Sequence, residues 1–140
     1  MIEAKKIAWM LCLGMVVFTF IHWPWKVLAE GEYRNLSPAQ ARELIGKQAG
    51  NPDFVLLDVR TPGEFQSERI GGAVMIDYNS RNFRAELAGL DREKTYLVYC
   101  RTGNRSTGAL KEMREEGFRN VYHLDGGIVK WKEAGLPTQK

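Results

Sequence analysis

Apolar residues fall along this chain in two rhythms. Residues 54–57 and 96–99 are apolar without a break, and 73–76 and 121–124 are short runs of the same kind. Runs of this length, rich in Val, Leu and Tyr, predict strands buried on both faces. Residues 33–36 form a further extended piece. The second rhythm is helical. Ser37-Pro38-Ala39-Gln40 has the form of a capping box with proline at the first helical position, and Ala41, Leu44 and Ile45 then fall on one face. Residues 106–116 repeat at helical spacing through Leu110 and Met113. A short helix is expected to begin near Glu64 and Phe65, with Phe65 in the core, and Gly126-Gly127 to make the tight turn into a last helix carrying Trp131 as a packing residue. Alternating strands and helices predict an α/β domain, a mostly parallel five-stranded sheet with helices on both faces. In such sheets ligands bind beyond the carboxyl ends of the strands.

The amino end is set apart. Residues 1–29 hold Lys5 and Lys6, an apolar run over 7–21, and Val27-Leu28-Ala29 ahead of Glu30. A basic start, an apolar middle and a small residue before the cut is the layout of a secretory signal, with cleavage expected after Ala29. The rival is an uncleaved inner-membrane anchor extended through Trp23 and Trp25, although His22, Pro24 and Lys26 interrupt the longer span. Either reading puts residues 30–140 outside the cytoplasm, periplasmic or otherwise exported. Cys12 lies within the apolar run, after Trp9-Met10-Leu11, without the small residues that lipid attachment calls for. If the leader is removed, Cys100 is the sole thiol and an intramolecular disulfide is excluded.

Residues 30–140 are expected to form a single domain. Three of the 20 Lys and Arg residues and one of the 17 Asp and Glu residues fall in the leader, leaving +1. Nothing in this balance asks for nucleic acid. Positive charge is instead local, at Arg101 and Arg105 in the run from Tyr96 to Ser106, where Cys100 ends an apolar strand just before a helix. Arginines and a helix amino terminus near a thiol favour its ionised form, and a loop of inward-pointing N–H groups is a cradle for anionic sulfur.

Cys100, Arg101, Gly103 and Arg105 match the Cys-Arg-x-Gly-x-Arg active-site loop of the rhodanese family position for position. Residues 56–65, around Asp58-Val59-Arg60, and residues 124–131, around Gly126-Gly127, resemble the same family in the same order, so the likeness covers about 36–137. The resemblance implies a rhodanese-like fold and a sulfurtransferase. Its cysteine takes sulfane sulfur from a donor such as thiosulfate, carries it as a persulfide, and passes it to cyanide, a small thiol or a protein thiol. Cys100 is then the nucleophile, Arg101 and Arg105 orient the dianion, and N–H groups of Arg101, Thr102, Gly103, Asn104 and Arg105 hold the persulfide. Arg101 is the residue expected to favour an inorganic oxyanion, since the related mercaptopyruvate enzymes have a less basic, glycine-rich loop. Asp58, Arg60 and Ser106 are expected to support the loop.

Arg69 departs from the family, which commonly has histidine there. His123 is expected to be a satisfied structural histidine. No cofactor and no metal are implied, nor contact with a membrane unless the leader is retained. Cysteine phosphatases carry five residues between cysteine and arginine. Here there are four, Arg101 to Asn104, a ring expected to be too tight for a phosphoryl group. The other reading of the domain is a persulfide relay or thiol-binding module in the cell envelope, with thiosulfate turnover incidental.

Overall fold

The computed structural model describes residues 31–140. The leader or anchor expected over 1–29, with Cys12, lies outside the described residues. Strand and helix alternate through the rest: β1 Glu32–Leu36, α1 Pro38–Lys47, β2 Phe54–Asp58, α2 Pro62–Ser67, β3 Val74–Met75, α3 Phe83–Ala88, β4 Thr95–Tyr99, α4 Asn104–Glu115, β5 Asn120–Leu124 and α5 Gly127–Glu133. The strands form one five-stranded sheet in the order β1-β5-β4-β2-β3, with every neighbouring pair parallel. The α/β architecture expected from the hydrophobic pattern is therefore the one observed.

Alternate side chains of the central strands feed two cores. Leu57, Tyr96, Val98 and Val121 pack with Phe83 and Leu87 of α3 and Ala109 and Met113 of α4. Leu56, Leu97, Tyr99 and Leu124 pack on the other face with Ala41 of α1 and Ile128 and Trp131 of α5. This is why β2 and β4 read as continuous apolar runs: both faces of each are covered.

Local signals set the helix starts. Ser37 accepts from the N–H of Gln40 while the Gln40 side chain accepts from the N–H of Ser37, the capping box expected for α1. Thr61 and Glu64 make the same reciprocal pair at the start of α2, which opens on Pro62. Phe65 differs from expectation. It is half-buried, and the Arg69 guanidinium lies 4.8 Å above its ring, so it closes the edge of the fold without entering either core. Trp131 is a packing residue, its indole N–H donating to the carbonyl of Pro137. The short helix α3 is an addition to the expected elements; its buried face is only Phe83 and Leu87, too brief a period to stand out.

Candidate active site

Cys100 follows the last residue of β4 and is 1% exposed. The chain then turns through Arg101 and Thr102 to Gly103, whose φ of 107° is the left-handed conformation that glycine adopts without strain, and α4 begins at Asn104. The turn folds back over the sulfur. The N–H of Gly103 donates to Cys100 Sγ at 3.1 Å, and the Ser106 hydroxyl lies 3.2 Å from it. Ser106 is fully buried on the inner face of α4 with Ala109 and Met113.

The other side of the loop is clamped by α5. The N–H of Ile128 donates to the carbonyl of Cys100 at 2.9 Å and that of Val129 to the carbonyl of Arg101 at 3.1 Å. Gly126 and Gly127 have φ of 71° and 61°, and a side chain at Gly127 would run into those same two carbonyls. The glycine pair is thus needed both for its backbone conformation and for the close approach of α5 to the loop.

Burial pushes the Cys100 thiol up. Hydrogen bonds from the Ser106 hydroxyl and from the N–H groups of Ser106, Gly103 and Thr102 more than offset it, holding the thiol below its ordinary value. The donors on Sγ itself are thus Thr102, Gly103 and Ser106, and hydrogen bonding, more than the two arginines, favours the thiolate. Arg101 is exposed. Arg105 is committed elsewhere: its Nη1 and Nη2 bind the two oxygens of Glu64 at 2.7 and 2.8 Å, a two-pronged ion pair. That pair holds the Glu64 carboxyl down at about 2, through Arg105 first and against a smaller opposing effect of burial. Arg105 also feels the Cys100 thiolate, but more weakly than it feels Glu64.

Asp58 and Arg60 lie at the end of the neighbouring strand, Asp58 in register with Tyr99. Both are buried, at 0% and 4% exposure. They bind each other rather than reaching across to the loop. Arg60 Nε lies 3.0 Å from both Asp58 oxygens, Nη2 lies 2.7 Å from one, and the Arg60 N–H donates to Asp58 as well. Arg60 also donates to the carbonyl of Glu68 and sits 5.6 Å over the Tyr99 ring. The pair thus packs against Tyr99, the residue next to Cys100. Asn104 is exposed and opens α4, directly after Gly103.

His123 is satisfied, as expected, but its partners carry it into the site. Its Nε2 lies 2.7 Å from Ser106 Oγ and its Nδ1 lies 2.9 Å from Asn35 Oδ1. Burial holds this ring below the ordinary histidine value, with Asp125 acting in the opposite direction. A shallow groove of about 380 Å³ opens beside the loop, and its lining includes Arg60, Arg101, Lys132, Glu64, Glu68 and Glu133. Its walls carry both signs of charge.

The sequence profile of the Rhodanese-like domain matches residues 37–134. An uncharacterized protein of Synechocystis is 41% identical over 86 residues, covering 61% of this chain and 47% of that relative, so the chain spans about half the relative's length. The thiosulfate sulfurtransferase GlpE of Coxiella burnetii is 36% identical over 106 residues, covering 76% of this chain and 92% of GlpE. Among solved structures, a rhodanese-related protein from Thermoplasma volcanium superposes with a TM-score of 0.65 at 31% identity, covering 76% of this chain and 98% of that one. With the profile spanning the Cys100 loop and the Gly126-Gly127 turn, and the parallel sheet matching, the chain belongs to the rhodanese-like family, among relatives that include sulfurtransferases.

Proposed function

We propose that the protein is a thiosulfate sulfurtransferase that carries sulfur as a Cys100 persulfide. The observation that carries this reading is the ring of donors around one buried sulfur: Gly103 N–H at 3.1 Å, Ser106 Oγ at 3.2 Å, and the N–H groups of Thr102 and Ser106. Donors so arranged stabilise an anionic sulfur without a metal, in the thiolate and again in the persulfide. The thiolate attacks the outer sulfur of thiosulfate, a sulfur–sulfur bond forms to Cys100, and the bond to the sulfonate sulfur breaks with its electron pair leaving on sulfite. Cyanide or a thiolate then takes the outer sulfur, and the Cys100 thiolate returns. Arg101, exposed and without a carboxylate partner among the described residues, is the cation left to meet the incoming dianion. Arg105 is largely neutralised by Glu64.

The mixed charges of the groove beside Arg101 favour a second reading, in which the acceptor is a protein thiol and the domain works as a persulfide relay. The leader-like residues 1–29 support placing this activity outside the cytoplasm, whether the segment is cleaved or retained as an anchor. Steady-state assays separate the two readings. Thiocyanate formed from thiosulfate and cyanide, and abolished by Cys100→Ser, is the result expected of a thiosulfate enzyme. Rapid persulfide transfer to protein thiols with negligible thiocyanate would favour the relay.

A further inference from the structure

The hydrogen bonds behind Cys100 run in an unbroken line. From the sulfur they pass to Ser106 Oγ at 3.2 Å, to His123 Nε2 at 2.7 Å, and from His123 Nδ1 to Asn35 Oδ1 at 2.9 Å. The sheet register builds this line. Asn35 and His123 are partners across β1 and β5, and His123 is the partner of Val98, two residues before Cys100. Side chains alternate along strands, so Asn35, His123, Val98 and Cys100 all face α4, where Ser106 occupies the first buried turn.

We propose that Ser106, His123 and Asn35 form a proton relay for Cys100, carrying the thiol proton through the Ser106 hydroxyl to Nε2 of His123 and returning it when needed. The inference rests on Cys100 being the nucleophile of the proposed function. The Asn35 amide oxygen only accepts, so it holds the proton of the neutral ring on Nδ1 and leaves Nε2 bare towards Ser106. Ser106 has one proton to give. The Gly103 carbonyl, 3.0 Å from Ser106 Oγ, competes for it but already accepts from the N–H of Thr107 at 3.0 Å and from the Thr107 hydroxyl at 2.8 Å, and Nε2 of His123 is nearer, at 2.7 Å.

When Cys100 carries its proton, the thiol donates to Ser106, and Ser106 donates to His123. On transfer, the S–H bond breaks as a new O–H bond forms on Ser106, while the former hydroxyl proton moves to Nε2. The four groups keep their total charge. The two hydrogen bonds on Ser106 then reverse without any atom moving far, while Nδ1–H goes on donating to Asn35: imidazolium donates to Ser106, and Ser106 to the thiolate. Ser106 is the member that touches the reacting sulfur; His123 and Asn35 act through it. Burial keeps the resting ring neutral and free to accept. The charged group facing it from its own strand end is Asp125, held by Lys130 of α5 at 2.9 Å. From α4 it meets only Ser106, with Cys100 beyond, and from β1 the uncharged Asn35.

Asn35→Asp distinguishes a relay from mere proximity, because the two predict opposite signs. A carboxylate on Nδ1 stabilises imidazolium, so a relay lowers the apparent pKa of Cys100, whereas simple charge repulsion raises it. The measurement is the rate of Cys100 alkylation by iodoacetamide against pH, on the full chain, with ring ¹⁵N NMR of His123. Asn35 is exposed, so the variant leaves both cores untouched. The relay predicts a midpoint lower by about one pH unit, roughly a tenfold gain in thiolate below it. It also predicts that alkylating wild-type Cys100 shifts the His123 titration, and that Ser106→Ala abolishes that response. An unchanged or raised midpoint, together with a His123 signal indifferent to alkylation, would overturn it. No sulfur donor is used, so a failure here leaves thiosulfate chemistry standing, and a failure of thiosulfate turnover leaves this result intact.

Discussion

Replacing Asp58 by Asn changes one atom in a buried ion pair and should be severe. Asp58 and Arg60 are 0% and 4% exposed, so the Arg60 guanidinium has little water to turn to. Burial by itself would lower the arginine's pKa, but its bonds and charge interaction with Asp58 hold it above the ordinary value and therefore cationic. Asparagine keeps one carbonyl oxygen for the Arg60 backbone N–H and Nε. Its amide nitrogen then meets Nη2, donor against donor, where an oxygen had stood at 2.7 Å. Breaking a buried pair in this way costs about 3–5 kcal/mol, because a charge is left uncompensated. Against a total of roughly 5–15 kcal/mol for a domain of this size, that is a large fraction of the stability. At about 4–6 °C per kcal/mol the melting temperature should fall by roughly 12–30 °C. Thermal and urea melts followed by far-ultraviolet circular dichroism measure it. The double variant Asp58→Leu with Arg60→Met removes both charges and should recover a good part of the loss. An Asp58→Asn cost below about 1 kcal/mol, or a double variant as unstable as the single, would refute the claim that the pair is coupled in this way.

Glu64 gives an acid-side prediction. Its folded value of about 2 lies below the ordinary 4.5, so the unfolded chain binds more protons between these values. The stabilisation is complete above about pH 4.5 and drains away as pH falls towards 2; for a partly open pair it should amount to about 1–2 kcal/mol. Urea melts at pH 6 and pH 3 should show wild type losing more than half of that amount beyond the loss of Glu64→Gln, and parallel losses would count against the pair. The same variant frees Arg105 and removes a negative charge near the loop, so the KM for thiosulfate should fall about two- to tenfold with kcat little changed. A raised KM would mean that Glu64 serves to hold Arg105 in its productive position. Gly127→Ala should cost at least about 2 kcal/mol from its left-handed backbone and the collision with the Cys100 and Arg101 carbonyls. Gly46→Ala, in α1 with open space around it, should instead stabilise by about 0.5–1 kcal/mol, both changes being read from chemical denaturation midpoints.

Much of this arrangement was legible in the chain. Continuous apolar runs gave away β2 and β4 because both faces of those strands are covered, and Ser37-Pro38-Ala39-Gln40 marked α1 because its cap is made by neighbours in sequence. The Cys100 loop and the glycine pair were visible because their conformations are local. What escaped depends on strand order. Glu64 and Arg105 are 41 residues apart, and Asn35 and His123 are 88 apart, each pair meeting only through the sheet and the elements it carries. Arg105 thus read as a free cation when it is half of an ion pair, and His123 as a bystander when it touches the serine on the sulfur. Once the order β1-β5-β4 is known, the period of two along the strands puts Asn35, His123 and Cys100 on one face. Phe65 misled because aromatic character alone does not distinguish a core position from a rim closed by a cation such as Arg69.

The central claim is that the donors around Cys100 hold a persulfide formed from thiosulfate. Its most direct test is the intact mass of the purified, reduced protein after exposure to thiosulfate alone, beside Cys100→Ala. The account predicts one added sulfur atom on wild type, removed by cyanide, and none on the variant. A wild-type mass that stays unchanged at neutral pH, while Cys100 still reacts with an alkylating probe, would contradict it.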